Sequence, residues 1–198
     1  MVAYAKTPFV TPQQYLEREH AAVIKSEYYD GVIVAMAGAS PEHDRITGSI
    51  YAGLHAQLQG KSCEPFTSDM RVNVPACNRY YYPDVSVACG GSQFEALAGV
   101  RSLQNPMLIV EVLSETTEKT DRGDKLICYQ TLPSLVTYVI AAQDRPLIQV
   151  YERQSDASWR YNLHQGLEST LLLPAIGCRL RLADIYARVE FPRADGGG

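Results

Sequence analysis

The chain has 198 residues, of which 46% are hydrophobic and 20% charged. That composition suits one compact domain and excludes a long disordered protein. The net charge of −4, from 18 basic and 22 acidic residues, argues against a broad basic surface for nucleic acid, so positive charge serving such a ligand must be local.

From the N-terminus, Thr11-Pro12 predicts a short helix to about His20, with threonine as cap and proline at the first position. Residues 25–36 read as a hairpin around Asp30-Gly31, a strong two-residue turn signal. Ser40-Pro41 opens a second helix to about Gln59, in which Ile46, Ile50, Leu54 and Leu58 recur every four residues as one apolar stripe. Short strands are expected over residues 63–66 and 69–74. Residues 83–88 alternate as the start of a strand, and a loop through Gly90-Gly91 is expected to run to about Asn105. Residues 107–113 are nearly all apolar and read as a strand buried on both faces. A helix beginning at Thr120 or Asp121 and ending near Leu132 precedes another apolar strand, 136–142. Residues 147–153 and 158–163 look like a meander, 170–173 like a further edge, and 182–189 like a last short helix. Hairpins together with a strand–helix–strand unit predict an α/β (mixed α+β) fold around one mixed sheet. Residues 1–192 are expected to form a single domain and 193–198 a disordered tail.

Cys63, Cys77, Cys89, Cys128 and Cys178 include no C-x-x-C pair and are odd in number. Each is expected to be a small buried hydrophobe, without a zinc site or disulfide framework. No apolar run approaches the ~18 residues of a membrane span. The first ten residues lack the apolar core of a signal peptide, so a soluble, cytoplasmic protein is expected.

Glu111 interrupts the most apolar stretch, Leu108-Ile109-Val110-Glu111-Val112-Leu113. An unpaired buried carboxylate costs several kcal/mol, so a cation, a metal or a raised pKa must compensate it. Pattern alone leaves open a strand-end glutamate reaching solvent, or a buried pair with an arginine. Asp84 follows Pro83 at the start of a strand. Alone it would cap a turn; beside Glu111 it would complete a hard-oxygen site for Mg²⁺ or Mn²⁺. Asp121, Lys125 and Tyr129 are spaced by four and share a helix face. Asp121 suits an N-cap, and Lys125 either pairs with it at the surface or aims at the carboxylates. His43 either touches the site or DNA, or lies at the surface near its helix cap. Tyr80-Tyr81-Tyr82 is either core or an interface between copies.

In their order and spacing these residues resemble a known family. Glu27-Tyr28-Tyr29-Asp30-Gly31 with Met36 and His43, Tyr82-Pro83-Asp84-Val85, and the run from Pro106 to Ser114 carry the likeness. So do Asp121-Arg122-Gly123-Asp124-Lys125 with Tyr129, Leu132-Pro133-Ser134, Asp144-Arg145-Pro146 and Val150-Tyr151. Together they are similar to the Uma-type family of the PD-(D/E)XK nuclease superfamily, over about residues 10 to 190.

The resemblance implies a restriction-endonuclease-like core, with a mixed central sheet flanked by helices, and a divalent-metal-dependent DNA endonuclease. Asp84, Glu111 and Lys125 would be catalytic, with Glu27 as an auxiliary acid. Asp84, Glu111 and the Val112 backbone carbonyl would hold Mg²⁺ or Mn²⁺, with His43, Asp121 and Tyr129 nearby. The ion would polarise the scissile phosphate and acidify a water, which Lys125 would orient. The superfamily motif places its lysine two residues after the acid, where this chain has Leu113. Lys125 on the next helix would reach the same point in space. A homodimer that cuts both strands is the expected assembly. The alternative is a catalytically inactive nuclease fold that binds nucleic acid or protein, favoured by the negative net charge and the absent lysine at 113.

Overall fold

A computed structural model describes residues 8–114 and 118–191. In chain order the elements are α1 (Pro12–Ala21), β1 (Ser26–Tyr29), β2 (Val32–Ala35), α2 (Pro41–Leu58), β3 (Cys63–Thr67), β4 (Val72–Val74), β5 (Arg79–Tyr81), β6 (Val85–Cys89), β7 (Phe94–Leu97) and β8 (Val100–Leu103). They continue with β9 (Pro106–Val112), α3 (Glu118–Arg122), α4 (Asp124–Gln130), β10 (Thr137–Ala141), β11 (Leu147–Arg153), β12 (Trp159–Gln165), β13 (Thr170–Leu173), β14 (Cys178–Arg181) and α5 (Leu182–Ile185).

The mixed central sheet has the order β12-β11-β10-β9-β6-β3, with β9 and β10 parallel and its other pairs antiparallel. A second sheet has the order β2-β1-β5-β4-β8-β7, and β13 pairs with β14 alone. The α/β architecture is therefore as expected, but it is built on two main sheets and not one.

Local chemistry explains the elements that were legible. Thr11 accepts from the Gln14 N–H at 3.2 Å, and the Gln14 side chain accepts from the Thr11 N–H at 2.9 Å, a reciprocal cap on α1. Asp30 and Gly31 both have positive φ, as a tight two-residue hairpin turn requires. Ser40 caps α2, and its whole apolar stripe is buried.

Several elements depart from expectation. The supposed loop to Asn105 contains the β7–β8 hairpin, whose turn residues Ala98 and Gly99 have φ of 53° and 77°. Alanine is a poor marker of a turn that asparagine or aspartate usually announces. β5 and β14 went unread because each follows a compact 3₁₀ turn, Pro75–Cys77 or Pro174–Ile176, closed by a left-handed residue, Asn78 or Gly177. The helix after β9 breaks at Gly123, where a Cβ would meet the Lys119 carbonyl oxygen at 2.9 Å. The expected tail, 193–198, lies outside the described residues.

Cysteine pairing is a further correction. Cys63 and Cys89 stand opposite each other at the ends of β3 and β6 and form a disulfide. Cys77 and Cys128 form a second, and Cys178 is a buried free thiol. Motif spacing cannot reveal such pairs, because the fold brings together residues 26 and 51 positions apart. Tyr80, Tyr81 and Tyr82 are all buried within the chain, so they serve as core.

The central sheet is covered on both faces. Val110 and Val112 of β9 join a hydrocarbon core with the α2 stripe, β13, β14 and α5. Ile109 and Leu113 join another core with α4, Tyr138 of β10 and the second sheet through Val72, Val74 and Tyr81. α1 closes the far side of the second sheet through Tyr15 and Leu16 on Tyr28 and Tyr80. Among the described residues no helix is long and apolar enough to cross a membrane.

Candidate active site

Strand register fixes the first two carboxylates. β6 and β9 run antiparallel with Val85 opposite Val110, so one further step puts Asp84 opposite Glu111. Val85 and Val110 both face the hydrocarbon core, so alternation turns Asp84 and Glu111 to the other face. Asp84 is anchored there by the Val112 N–H, which donates to its Oδ2 at 2.6 Å. On the other side of β9, Glu111 registers with Ile140 of β10.

Lys125 arrives from α4, packed over this face. Its Nζ lies 3.0 Å from Glu27 Oε1, 3.2 Å from Glu111 Oε1 and 3.4 Å from Asp121 Oδ1. Tyr129, one turn later, donates to the same Glu111 oxygen at 3.0 Å. Lys125 is 5% exposed and Glu111 4%, so the surface pair considered for Lys125 is replaced by a buried one. Asp121 is likewise buried within α3 and is not an N-cap. The break at Gly123 does not part Asp121 from Lys125, although the two lie in separate helices.

Glu27 enters from the second sheet. Its Oε1 accepts the Tyr82 N–H at 3.1 Å and its Oε2 accepts the Tyr29 hydroxyl at 2.6 Å. Glu27 is buried there, because this sheet is covered on both sides. Tyr29 and Tyr82 were missed as holders of the site. The only sequence signal was their nearness to Glu27 and Asp84. His43, in the first turn of α2, places Nε2 3.3 Å from Asp84 Oδ2. The expected site residues Glu27, Asp84, Glu111, Asp121, Lys125 and Tyr129 thus converge, with His43 at the Asp84 edge.

The cluster is short of positive charge. Burial pushes the Glu111 carboxyl well above its usual range; Lys125 opposes this, while Asp121, Asp84 and Glu27 add to it. Burial disfavours the Lys125 ammonium, but Glu111, Glu27 and Asp121 overcome that and hold it charged. Burial also lowers the basicity of His43, yet its bond to Asp84 and the charge there raise it overall.

The donor chemistry suits a hard divalent ion: two carboxylates on adjacent strands, a backbone carbonyl at Val112, and more buried negative than positive charge. Lys125 and Tyr129 take Glu111 Oε1, while Glu111 Oε2 makes no hydrogen bond among the described residues. Among those residues no three His, Cys, Asp or Glu side chains yet surround one point closely enough to bind an ion by themselves. Binding would therefore draw on the backbone carbonyl and solvent.

The chain is similar to known proteins along most of its length. The profile of the Uma2 family, described as "Putative restriction endonuclease", matches residues 12–183. The uncharacterized protein sll1609 of Synechocystis sp. is 34% identical over 159 residues, covering 80% of this chain and 89% of its own. The uncharacterized protein slr1290 of the same organism is 31% identical over 194 residues, covering 96% of this chain and 100% of its own. The crystal structure of a putative nuclease belonging to DUF820 from Anabaena variabilis superposes with a TM-score of 0.67 at 17% identity, covering 82% of this chain and 89% of that one. That likeness shows a shared fold. Matched along most of its length, the chain belongs to the Uma2 family of putative restriction endonucleases.

Proposed function

We propose that this protein is a divalent-metal-dependent nuclease that hydrolyses phosphodiester bonds in DNA, with Asp84, Glu111 and Lys125 as its catalytic core. One observation carries the reading. A buried lysine from α4 stands within 3.4 Å of three carboxylates drawn from β1, β9 and α3, with Asp84 opposite Glu111 on the same sheet face. A structural ion pair would need one acid for that lysine. The surplus of carboxylates marks a place suited to a further cation.

Asp84, Glu111 and the Val112 carbonyl would hold Mg²⁺ or Mn²⁺, which supplies polarisation of the scissile phosphate and a more acidic water. The protein's own groups set the geometry. Lys125 and Tyr129 fix the rotation of Glu111 through Oε1. Glu27, itself held by Tyr29 and Tyr82, fixes Lys125. The Lys125 ammonium offsets negative charge that grows on the phosphoryl oxygens as water attacks phosphorus and the ester P–O bond breaks. Val112 N–H and His43 orient Asp84. Two copies acting together would cut both strands of a duplex.

A second reading keeps the fold without the chemistry: an inactive module that binds nucleic acid or protein. The observation favouring it is that Glu111 Oε1 is already taken by Lys125 and Tyr129, with no three-sided metal set among the described residues. Plasmid and single-stranded DNA incubated with Mg²⁺ or Mn²⁺ separate the two. The nuclease reading expects metal-dependent cleavage that Asp84→Ala and Glu111→Ala reduce at least ~100-fold without unfolding the protein. Undiminished cleavage in either variant would exclude this site.

A further inference from the structure

We infer that the Cys77–Cys128 disulfide is a thiol–disulfide exchange site that controls how firmly α4 holds Lys125 and Tyr129 against Glu111. Cys128 lies on α4 three residues after Lys125 and immediately before Tyr129. Cys77 is the last residue of the 3₁₀ turn Pro75–Cys77 between β4 and β5. From that turn β5 runs on to Tyr81, whose ring packs on Tyr129 at 5.2 Å, and to Tyr82, whose N–H holds Glu27. The disulfide therefore joins the helix that carries Lys125 to the turn whose strand leads to Tyr82 and, through it, to Glu27.

The rest of α4 is unevenly secured. It follows Gly123 and has no side-chain cap at its start. Its far end is pinned, because Arg153 Nη2 donates to the Gln130 carbonyl at 2.7 Å and to the Leu132 carbonyl at 2.9 Å. Opening the disulfide leaves that end in place and frees the turn that bears Lys125. Cys63–Cys89 differs: it ties two strands already laddered through five residue pairs, so its loss moves little.

The bond is also reachable. Cys77 is half-buried beside exposed Pro75 and Ala76, whereas Cys128 is buried. A thiolate of a dithiol reductant attacks Cys77 Sγ, and Cys128 leaves as a thiolate that takes up a proton. The reductant's second thiol then displaces Cys77. Two electrons pass to the protein, leaving two cysteine thiols, and the reductant becomes a disulfide.

The activity part of this inference rests on the nuclease reading; the structural part does not. The test uses the full chain, oxidised or treated with dithiothreitol, together with Cys77→Ser and Cys63→Ser. Peptide mapping without reductant should recover the Cys77–Cys128 link. Reduction, or Cys77→Ser, should raise hydrogen exchange at the amides of residues 127–129 roughly tenfold while Leu132 stays protected, and should slow cleavage several-fold. Cys63→Ser should do neither. A missing link, or α4 exchange that ignores the redox state, overturns the inference. If exchange responds but neither form cleaves DNA, the tether stands and the nuclease reading falls. Should Cys77→Ser fail to fold, the reduced wild type supplies the same comparison.

Discussion

On one face of β9, Leu108, Val110 and Val112 share a hydrocarbon core with Ile46, Ile50, Leu54 and Leu58 of α2. On the other, Ile109 and Leu113 flank Glu111, which meets Lys125, Tyr129 and a ring of further carboxylates. Strand, burial and neighbours in sequence are the same, yet the two faces obey different rules. The first gains stability from removing apolar surface from water. The second spends some of that stability to keep ionised groups dry and close. Such an arrangement persists where one group's position depends on all the others.

The contrast is broken most severely at Lys125. Lys125→Met leaves Glu27, Glu111 and Asp121 buried without their ammonium, and breaking a buried pair this way costs about 3–5 kcal/mol. Urea unfolding should show that loss together with abolished cleavage. A loss under about 1 kcal/mol would mean that the carboxylates are solvated and that the two faces do not differ. On the hydrocarbon face, Ile50→Ala should cost about 2–5 kcal/mol through lost burial and a residual cavity. Cleavage per folded molecule should survive that change, because α2's stripe does not touch the acids. Activity falling in step with Lys125→Met would show that the faces are coupled.

Glu111→Gln sharpens the comparison with a smaller effect on stability. The carboxyl is raised in the folded protein, so its contribution is present below its ordinary value of 4.5 and is lost as pH rises through the folded value. Glutamine carries no such penalty and can still accept from Tyr129. The variant should therefore match or exceed the wild type in urea midpoint at pH 7, with an advantage that shrinks as pH falls toward 4.5, while cleavage is lost. A less stable variant at neutral pH would mean that Lys125 more than compensates the buried charge.

How much of this was legible depended on whether the signal was local. The α2 stripe, the Asp30-Gly31 turn and the apolar run of β9 announce themselves through spacing and turn chemistry. Glu111 was legible because a carboxylate in that run contradicts its neighbours. Its partners Asp84 and Lys125 came from the ordered motifs that carry the family likeness. The disulfides were illegible, since strand register and tertiary packing create them. Ala98-Gly99 hid a hairpin because alanine rarely takes positive φ. Tyr29 and Tyr82 were missed because one holds Glu27 through a hydroxyl and the other through a backbone N–H that no side-chain pattern encodes.

The finest test of the charged face lies at its rim, at His43. Burial and the positive end of α2 both disfavour a proton on this imidazole. Asp84 at 3.3 Å outweighs them, with smaller pushes from the Val112 backbone and Asp121, so the histidine holds its proton above its usual 6.5. The stabilisation is fully present below 6.5 and is lost as pH rises through the folded value. His43→Asn keeps a donor toward Asp84 but does not titrate. With chelator present to keep the acids metal-free, the melting-temperature gap between wild type and His43→Asn should be widest near pH 6 and close toward pH 8. A gap that stays constant across that interval would mean Asp84 does not hold the proton on His43. The anionic character ascribed to this face would then stop at Glu111 and not reach its rim.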